Sequence, residues 1–369
     1  MTGGFPVINE MLSGLNIPAY LPQNATQKDW PAIRQKMIDL LLDQEYGVIP
    51  ELPYTVEGKI VKEDAGFCAG KSVLQSVEIT VTLPNGTFTY PCMLSMPTTT
   101  GQHPLFVCIN FRPETPDRYL PSEEICDRGY AVLSIYYNDV SIDAQDHFAD
   151  GLARMLRDAA AERGVAPAQL PGKIAVWAWA MSRALDWAIE QPGVCRNHIA
   201  AIGHSRLGKT ALVCGMLDER FSCVISNDSG CSGAAITRGK PGEHVVNITH
   251  NFPFWFCQAY QQYINNEDTM PFEQDWLLAS IAPRLLIVGS ALEDEWAGPS
   301  HEYLGCVSAS KAWELLGKPG FIHPDRLPEA GDIFHEGGIG YHLRAGKHYL
   351  GREDWNRYMD FLDAKGWNA

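Results

Sequence analysis

The sequence has little positive charge. Lysine and arginine together number 29 among 369 residues, against 44 aspartates and glutamates, for a formal net charge of −15. Proteins that bind nucleic acid through its phosphates need a basic patch, and no run of five basic residues occurs here. The same shortage disfavours an anionic membrane surface. We therefore expect neither a nucleic-acid partner nor a membrane partner.

The sequence also lacks a long apolar run. Its longest apolar stretches, such as Ile174–Ala180, are far shorter than the ~20 residues that a bilayer-spanning helix needs. The segment Met1–Pro6 shows no basic region followed by an apolar one, so no signal peptide is visible. We expect a cytoplasmic protein, or a secreted one whose leader is absent from this chain.

Cysteine patterns that bind metal are missing as well. The ten cysteines form no CxxC pair and no cysteine–histidine ladder with zinc spacing. Most of them lie inside apolar segments, as Cys108, Cys214 and Cys223 do, where a buried free thiol is the usual state. We expect a reduced chain without metal or cofactor.

What the sequence does have is the composition of a globular protein with a large core, 46% hydrophobic and 20% charged. From residue 104 onward, short apolar segments alternate with helical ones such as Lys173–Ile189. This alternation predicts an α/β fold with a mostly parallel sheet covered on both faces. The predicted strands are LFVCINF (105–111), YAVLSIYY (130–137), HIAAIGHS (198–205), FSCVISN (221–227) and PRLLIVGS (283–290).

The first part of the chain has a different pattern. Trp30–Gln44 repeats apolar residues at helical spacing. Ser76–Leu83 and Thr87–Met96 alternate polar and apolar residues around a turn, which predicts an antiparallel hairpin. We predict a helical extension over residues 1–70, packed on a single α/β domain over 71–369 that begins with the hairpin.

The most informative segment surrounds Ser205. An apolar strand ends at Gly203, Ser205 follows at a sharp turn, and a helical segment begins at once. This order is typical of the nucleophile elbow of α/β-hydrolases, where the helix N-terminus favours developing negative charge. The second glycine of the usual G-x-S-x-G pattern is shifted to Gly208. On spacing alone, a serine that only caps the helix is an alternative.

An acid and a histidine follow Ser205 in the chain order that such a hydrolase requires. Asp294 lies in an acidic segment after the strand PRLLIVGS, and His348 lies in a glycine-containing loop before the last helix. The histidine would take the proton of the serine and pass it to the leaving alcohol. The carboxylate would fix the imidazole tautomer. His204, beside the serine, is interpreted as a packing residue with one satisfied nitrogen.

These residues resemble the bacterial type of glucuronoyl esterase, in carbohydrate esterase family 15 of the α/β-hydrolase superfamily. The resemblance spans about residues 105–365 and rests on GHSRLGK (203–209), SGCSGAA (229–235), FPFWF (252–256), APRLLIVGSALEDEWAGP (282–299) and IGYHLRAGKHYL (339–350). It implies a three-layer α/β-hydrolase sandwich. It also implies hydrolysis of esters between (4-O-methyl)glucuronic acid on xylan and lignin alcohols, through a glucuronoyl-enzyme intermediate.

The resemblance also implies catalytic roles. Ser205 is the implied nucleophile, His348 the base, and Arg206 a donor to the oxyanion. Relatives take the acid from either of two strand ends, so both Asp294 and Asp228 are candidates. We favour Asp294, because Asp228 is one methylene shorter than the glutamate often found at its position. Arg206 has a structural alternative, pairing with a carboxylate of the acidic segment around Asp294.

The substrate contacts are implied in the same way. Lys209 and Glu243 would bind sugar hydroxyls, and Trp296 would stack against the sugar face. The expected partner is glucuronoxylan or another glucuronate ester, and we expect a monomer.

Three other functions stay open at this point. An acetyl xylan esterase or general carboxylesterase could use the same fold and the same serine. A non-catalytic carbohydrate-binding relative would be expected to have lost the serine, the histidine or both acids, which are all present. Finally, Gly203–Thr210 formally matches the phosphate-binding pattern G-x-x-x-x-G-K-[ST].

Overall fold

The computed structural model describes residues 8–368 of the chain. Its strands are β1 (Thr55–Asp64), β2 (Ser72–Leu83), β3 (Gly86–Pro97), β4 (His103–Asn110), β5 (Ala131–Tyr136), β6 (Val194–His204), β7 (Cys223–Asn227), β8 (Leu285–Ala291), β9 (Ile333–Phe334) and β10 (Ile339–Arg344). They form a single sheet in the order β1-β2-β3-β5-β4-β6-β7-β8-β10-β9.

Helices connect most of these strands. They are α1 (Ile8–Gly14), α2 (Trp30–Leu41), α3 (Ser122–Asp127), α4 (Tyr137–Val140), α5 (Gly151–Glu162), α6 (Lys173–Ala188), α7 (Arg206–Leu217), α8 (Val245–Asn251), α9 (Gln274–Ala279), α10 (Pro299–Leu315) and α11 (Arg352–Ala364). Short 3-10 segments lie at Gln27–Asp29, Phe67–Gly70, Pro167–Gln169, Gln258–Tyr263 and Glu267–Thr269, and a π-helical turn at Leu42–Tyr46.

The centre of the sheet is parallel. β5, β4, β6, β7, β8 and β10 pair in parallel with one another. At one edge β1, β2 and β3 form an antiparallel ribbon that joins β5 antiparallel, and at the other edge β9 pairs antiparallel with β10. All five strands predicted from apolar segments are present, as is the predicted hairpin, formed by β2 and β3. The α/β fold predicted from the sequence is confirmed.

Helices cover both faces of this sheet because side chains alternate along each strand. On β4, Leu105 and Val107 face a core shared with α6 and α7, whereas Phe106 faces a second core shared with α11. Phe106 packs edge-on against Trp355, with ring centroids 5.2 Å apart. Burial on both faces explains why these strands are apolar without alternation.

The edge strand β1 was not predicted. It lies within residues 1–70 and pairs antiparallel with β2. Its side chains are mostly exposed, so its sequence, TVEGKIVKED, lacks the alternation that marks a half-buried strand. The sheet therefore extends into the segment interpreted as helical, and the division of the chain at residue 70 stays a prediction.

Across residues 8–368 we find no helix long and apolar enough to span a bilayer. The monomeric state and the compartment stay predictions.

The topology gathers the candidate residues at one edge of the sheet. Ser205 follows β6, Asp228 follows β7, Asp294 lies just beyond β8, and His348 lies beyond β10. Since these strands are parallel neighbours, their carboxyl ends meet, and this is where open α/β sheets bind ligands.

Candidate active site

Ser205 lies alone between a strand and a helix. β6 ends at His204 and α7 begins at Arg206, so one residue makes the turn. Ser205 has φ 58° and ψ −127°, a conformation that side chains rarely adopt. Its N–H donates to Asn227 O at 2.8 Å, and its carbonyl accepts from Gly208 and Lys209 in the first turn of α7. This is the backbone geometry of a nucleophile elbow.

Two glycines make this turn possible. A Cβ on Gly203 would lie 2.0 Å from the carbonyl oxygen of Leu207, so only glycine lets the helix fold back over the strand. A Cβ on Gly208 would lie 3.0 Å from the Cβ of Ser229. Gly208 therefore lets α7 approach the segment after β7. Packing therefore explains the glycine at position 208. Leu207, which occupies the usual position of the second glycine, is fully buried.

His348 is hydrogen-bonded to Asp294. Its Nδ1 lies 2.6 Å from Asp294 Oδ2, so Nδ1 carries the proton and Nε2 is left to accept one. The two loops are joined through the backbone, because Leu292 N donates to Arg344 O and Glu293 N donates to Gly346 O, both at 2.9 Å. Burial alone would raise the pKa of Asp294, but the hydrogen bond and the charge of His348 bring it below its usual value.

Asp228 is bound to other groups. It is fully buried, and its Oδ1 accepts from Ala291 N at 2.8 Å. Its Oδ2 accepts from Arg344 Nη2 at 3.3 Å and from Tyr349 N at 3.4 Å. Burial raises the pKa of Asp228 well above its usual value, and the negative charges of Glu302 and Asp294 raise it further. The structure thus brings both candidate acids to the cavity but pairs only Asp294 with His348.

Arg344 connects Asp228 to the loop that carries His348. Its guanidinium donates to the carbonyls of Ala345 at 3.1 Å and Lys347 at 3.0 Å, and also to the carbonyl of Tyr349. On its other side, Nε lies 3.0 Å from both carboxylate oxygens of Asp354 in α11. This clamp was not predicted from the sequence. Its residues lie in the resemblance segment 339–350 and just beyond it, but only the folded chain shows what they contact.

His204 packs as interpreted. It is buried, its Nδ1 lies 2.6 Å from Asn227 Oδ1, and its ring lies 4.5 Å from that of His348. Burial lowers the pKa of His204 to about 3, and the neighbouring His348 contributes to the shift. The ring is therefore neutral near pH 7 and forms a wall beside His348 without competing for its proton.

Arg206 does not pair with the acidic segment around Asp294. Its Nη1 donates instead to Asp143, in the connection between α4 and α5. The guanidinium carbon lies 4.6 Å from the ring centroid of Trp255 and 5.2 Å from that of Phe252. Neither Asp143 nor its loop carried a sequence signal, because the partners are 63 residues apart and no motif marks the loop.

The three predicted substrate contacts lie close to one another. Lys209 is buried, donates to the carbonyl of Ser229, and lies 3.9 Å from a carboxylate oxygen of Glu243. Glu243 N donates to the carbonyl of Trp296 at 3.0 Å. The Trp296 side chain is 52% exposed, so its ring face is open to a ligand.

All eight candidate residues line one cavity of about 350 Å³. Its walls are Ser205, Arg206, Lys209, Asp228, Ser229, Gly230, Glu243, Phe252, Trp255, Asp294, Trp296, Ala297 and His348. Within the described chain, no hydrogen bond joins the side chains of Ser205 and His348, a bond that often tightens only when substrate is bound. Two cations, three carboxylates and an exposed indole give the cavity polar groups and a flat apolar face that suit an oxygen-rich ligand.

Only one group of side chains in residues 8–368 has metal-binding spacing. It consists of Asp228, Asp294 and His348, with ligand atoms within 4.8 Å of one another. All three groups already have partners in the protein, since His348 Nδ1 is hydrogen-bonded to Asp294 and Asp228 is paired with Arg344. The donor set is therefore better explained by hydrogen bonds within the protein than by a cation.

The phosphate-loop alternative is contradicted by the backbone. A phosphate loop needs several consecutive N–H groups that curve around the anion between strand and helix. Here Gly203–His204 is the end of β6, and Arg206–Thr210 is already α7. The match to G-x-x-x-x-G-K-[ST] is therefore a coincidence of spacing.

The fold and the elbow together define the class: the chain is built as an α/β-hydrolase. Comparison with known proteins is more specific. A family model described as glucuronyl esterase of fungi matches residues 165–317. The chain is 29% identical to a glucuronoyl esterase from Solibacter usitatus, with a TM-score of 0.86 over 96% of this chain and 98% of that one. A promiscuous esterase of carbohydrate esterase family 15, from a marine bacterial metagenome, gives 27% identity and a TM-score of 0.83 over 94% and 98%.

Curated relatives agree with these matches. Carbohydrate esterase MZ0003, from an unknown prokaryotic organism, is 38% identical over 242 residues, 65% of this chain and 55% of the relative. A 4-O-methyl-glucuronoyl methylesterase of Podospora anserina is 27% identical over 334 residues, 85% of this chain and 62% of the relative. The chain thus spans little more than half of the first of these relatives and under two thirds of the second. The resemblance predicted from the sequence is confirmed by these matches: the chain is similar to bacterial glucuronoyl esterases of carbohydrate esterase family 15.

Proposed function

We propose that this protein is a serine esterase that hydrolyses esters of (4-O-methyl)glucuronic acid, such as those joining glucuronoxylan to lignin alcohols. One observation carries the proposal: an elbow serine, a histidine bound to Asp294, and a Lys209–Glu243–Trp296 group share a single cavity. The names of the similar proteins support the substrate class.

The proposed reaction has two acyl-transfer steps. Ser205 Oγ attacks the ester carbonyl carbon while His348 Nε2 takes the hydroxyl proton. The C–O bond to the alcohol then breaks, and the alcohol leaves with that proton, so that a glucuronoyl ester of Ser205 remains. Water then repeats the sequence, giving its proton to His348 and releasing glucuronate and free Ser205.

The remaining residues have electrostatic roles in this proposal. Asp294 holds the Nδ1 proton of His348 and stabilises the imidazolium that forms. The backbone N–H of Arg206, in the first turn of α7, and its guanidinium stabilise the oxyanion of the tetrahedral intermediate. Lys209 and Glu243 bind sugar hydroxyls, and Trp296 packs against the ring face. Asp228 supports the His348 loop through Arg344.

The experiment that tests the proposal is hydrolysis of benzyl glucuronate and of an aryl acetate by the wild type and by Ser205→Ala. We expect turnover of the glucuronate ester, lost with Ser205→Ala, and little turnover of the acetate. Acetate turnover alone would replace the proposal with an acetyl xylan esterase or general carboxylesterase. Turnover that survives Ser205→Ala would show that Ser205 is not the nucleophile.

A matched variant tests the sugar pocket separately. Lys209→Met keeps a long side chain but removes the charged donor. A hydrogen bond to a charged group is worth about 1.5–3 kcal/mol, so we expect a loss of roughly 10- to 150-fold in kcat/KM for benzyl glucuronate. The small aryl acetate does not reach this pocket, and its residual rate should stay within about threefold. Equal losses on both esters would show that Lys209 acts on the fold or the elbow.

A further inference from the structure

The Asp143 carboxylate gathers donors from three parts of the chain. Arg206 Nη1 donates to Oδ2, Trp255 Nε1 donates to Oδ1 at 2.6 Å, and Tyr137 OH donates to Oδ2 at 3.2 Å. The Asp143 side chain is only 7% exposed. A buried carboxylate with three donors has most of its acceptor sites filled, so it has little freedom to turn.

Two of these donors belong to the candidate active site. Arg206 and Trp255 both line the cavity, and Trp255 stacks face to face on Phe252, with centroids 3.8 Å apart and planes 2° apart. Arg206 Nε is buried and has no hydrogen-bond partner. Among residues 8–368, Asp143 is the one carboxylate that pairs with Arg206. The direction of the guanidinium is therefore set by Asp143 and the aromatic rings around it.

Asp143 is itself held in place. Its N–H donates to Asn138 Oδ1 at 2.7 Å. On either side of it, the carbonyls of Ile142 and Ala144 accept from Lys173 Nζ, which also lies 2.7 Å from Asp146 Oδ1. Lys173 is the first residue of α6 and is fully buried. The loop is thus pinned to a core helix and is a rigid base for the carboxylate.

We infer that Asp143 is a positioning residue, which holds the Arg206 guanidinium and the Trp255 indole in the orientation needed for catalysis. The inference rests on the proposed function, in which Arg206 stabilises the oxyanion. Donors fixed before the reaction cost no reorganisation when charge develops, which is why their orientation matters as well as their presence. Asp143 does not line the cavity, so it acts only through its partners.

The first test is Asp143→Asn, measured on benzyl glucuronate. Asparagine has nearly the same shape, but one oxygen becomes an NH₂ group that cannot accept from Arg206 or Trp255. We expect kcat to fall about 10- to 100-fold while KM changes less than about threefold, a smaller loss than the roughly 10²- to 10³-fold typical of removing an oxyanion donor. Asp150→Asn is the control: it removes an exposed charge from the same loop, keeps a good helix cap for α5, and should leave kcat unchanged.

A double-mutant cycle with Arg206→Met decides whether Asp143 acts through Arg206. If it does, the loss of kcat caused by Asp143→Asn is much smaller in the Arg206→Met background than in the wild type, and any remaining loss is the part that acts through Trp255. Additive losses would overturn the inference. Should Asp143→Asn not fold, Asp143→Glu replaces it in the same cycle, since glutamate keeps the charge but displaces it by one methylene.

The inference and the proposed function fail in different ways. If Ser205→Ala retains activity, the proposed function is wrong whatever Asp143 does. If Ser205→Ala is inactive and Arg206→Met is impaired, but Asp143→Asn has the kcat of the wild type, only the inference is wrong.

Discussion

Asp294 and Asp228 follow neighbouring strands and line the same cavity, yet their surroundings differ. Asp294 lies 2.6 Å from His348 Nδ1, and this contact keeps its pKa below the usual range. Asp228 accepts from Ala291 N, Arg344 and Tyr349 N, and its pKa is raised, first by burial and then by nearby carboxylates. A carboxylate that serves an imidazole must be ionised, so this difference supports the proposal that Asp294 is the catalytic acid and Asp228 a structural one.

The comparison also shows how chain geometry places the two acids. The loop after β8 is tied by two backbone hydrogen bonds to the loop that carries His348, which brings Asp294 directly to the imidazole. Asp228, with φ 45°, comes immediately after β7, and its carboxylate is paired with Arg344. Two acids at equivalent strand ends are therefore not interchangeable. We expect their substitutions to differ in their effects on kcat and on stability.

The largest expected effect is that of Asp294→Asn. Asparagine cannot hold the Nδ1 proton of His348 in the same way, so the wrong tautomer is favoured, and we expect kcat to fall about 10³- to 10⁴-fold with little change in KM. Asp228→Asn should lower kcat less than about tenfold. Steady-state kinetics on benzyl glucuronate measure both. The reverse ranking would make Asp228 the acid and leave Asp294 a neighbour.

An intermediate effect is expected for Arg344→Lys. This substitution tests whether Arg344, which binds Asp228, holds the His348 loop in place. Lysine cannot reproduce the planar fork that contacts three carbonyls and two carboxylates. We expect kcat to fall about tenfold, from a less ordered His348 loop, together with a lower Tm. Arg352→Lys is the control, since Arg352 is 73% exposed and its ion pair with Glu124 is a surface contact of small energetic value. Equal effects of the two substitutions would show that the clamp contributes nothing specific.

The smallest effect expected is in the pH dependence of stability. A carboxyl whose pKa is higher in the folded protein binds its proton more tightly there, so its contribution to the free energy of unfolding falls as pH rises above about 4. Asp228→Asn removes this pH-dependent loss of stability. The Tm of the variant minus that of the wild type should therefore increase by about 1–3 °C between pH 4 and pH 8. For Asp294, whose pKa is lowered, the contribution to the free energy of unfolding is lost only as pH falls below about 4.

Thermal scans across this pH range distinguish the two acids. For Asp294→Asn, the loss of stability that belongs to the wild-type carboxyl should instead appear below about pH 4, where that carboxyl takes up its proton. A flat profile for Asp228→Asn would instead indicate that Asp228 is ionised over the whole range and fully paired with Arg344.

The outline of the site could be predicted because it depends on local patterns. An apolar strand, a small turn and a helix mark Ser205, and chain order marks His348 and the acid after β8. The supporting contacts could not be predicted, because they join residues far apart in the chain. Asp143 and Arg206 are 63 residues apart, and Asp228 and Arg344 are 116 residues apart. Such pairs depend on how α6, α11 and the sheet pack, which periodicity does not encode. The edge strand β1 escaped prediction for the opposite reason, since little of it is buried.

The proton NMR signal of His348 Nδ1–H reports which acid is hydrogen-bonded to the imidazole. A proton held in a short hydrogen bond between imidazole and carboxylate resonates far downfield of the amide region, and His348→Ala identifies it by its loss. We predict that the signal is present in the wild type and in Asp228→Asn, and absent in Asp294→Asn. A signal that survives in Asp294→Asn and disappears in Asp228→Asn would contradict the account.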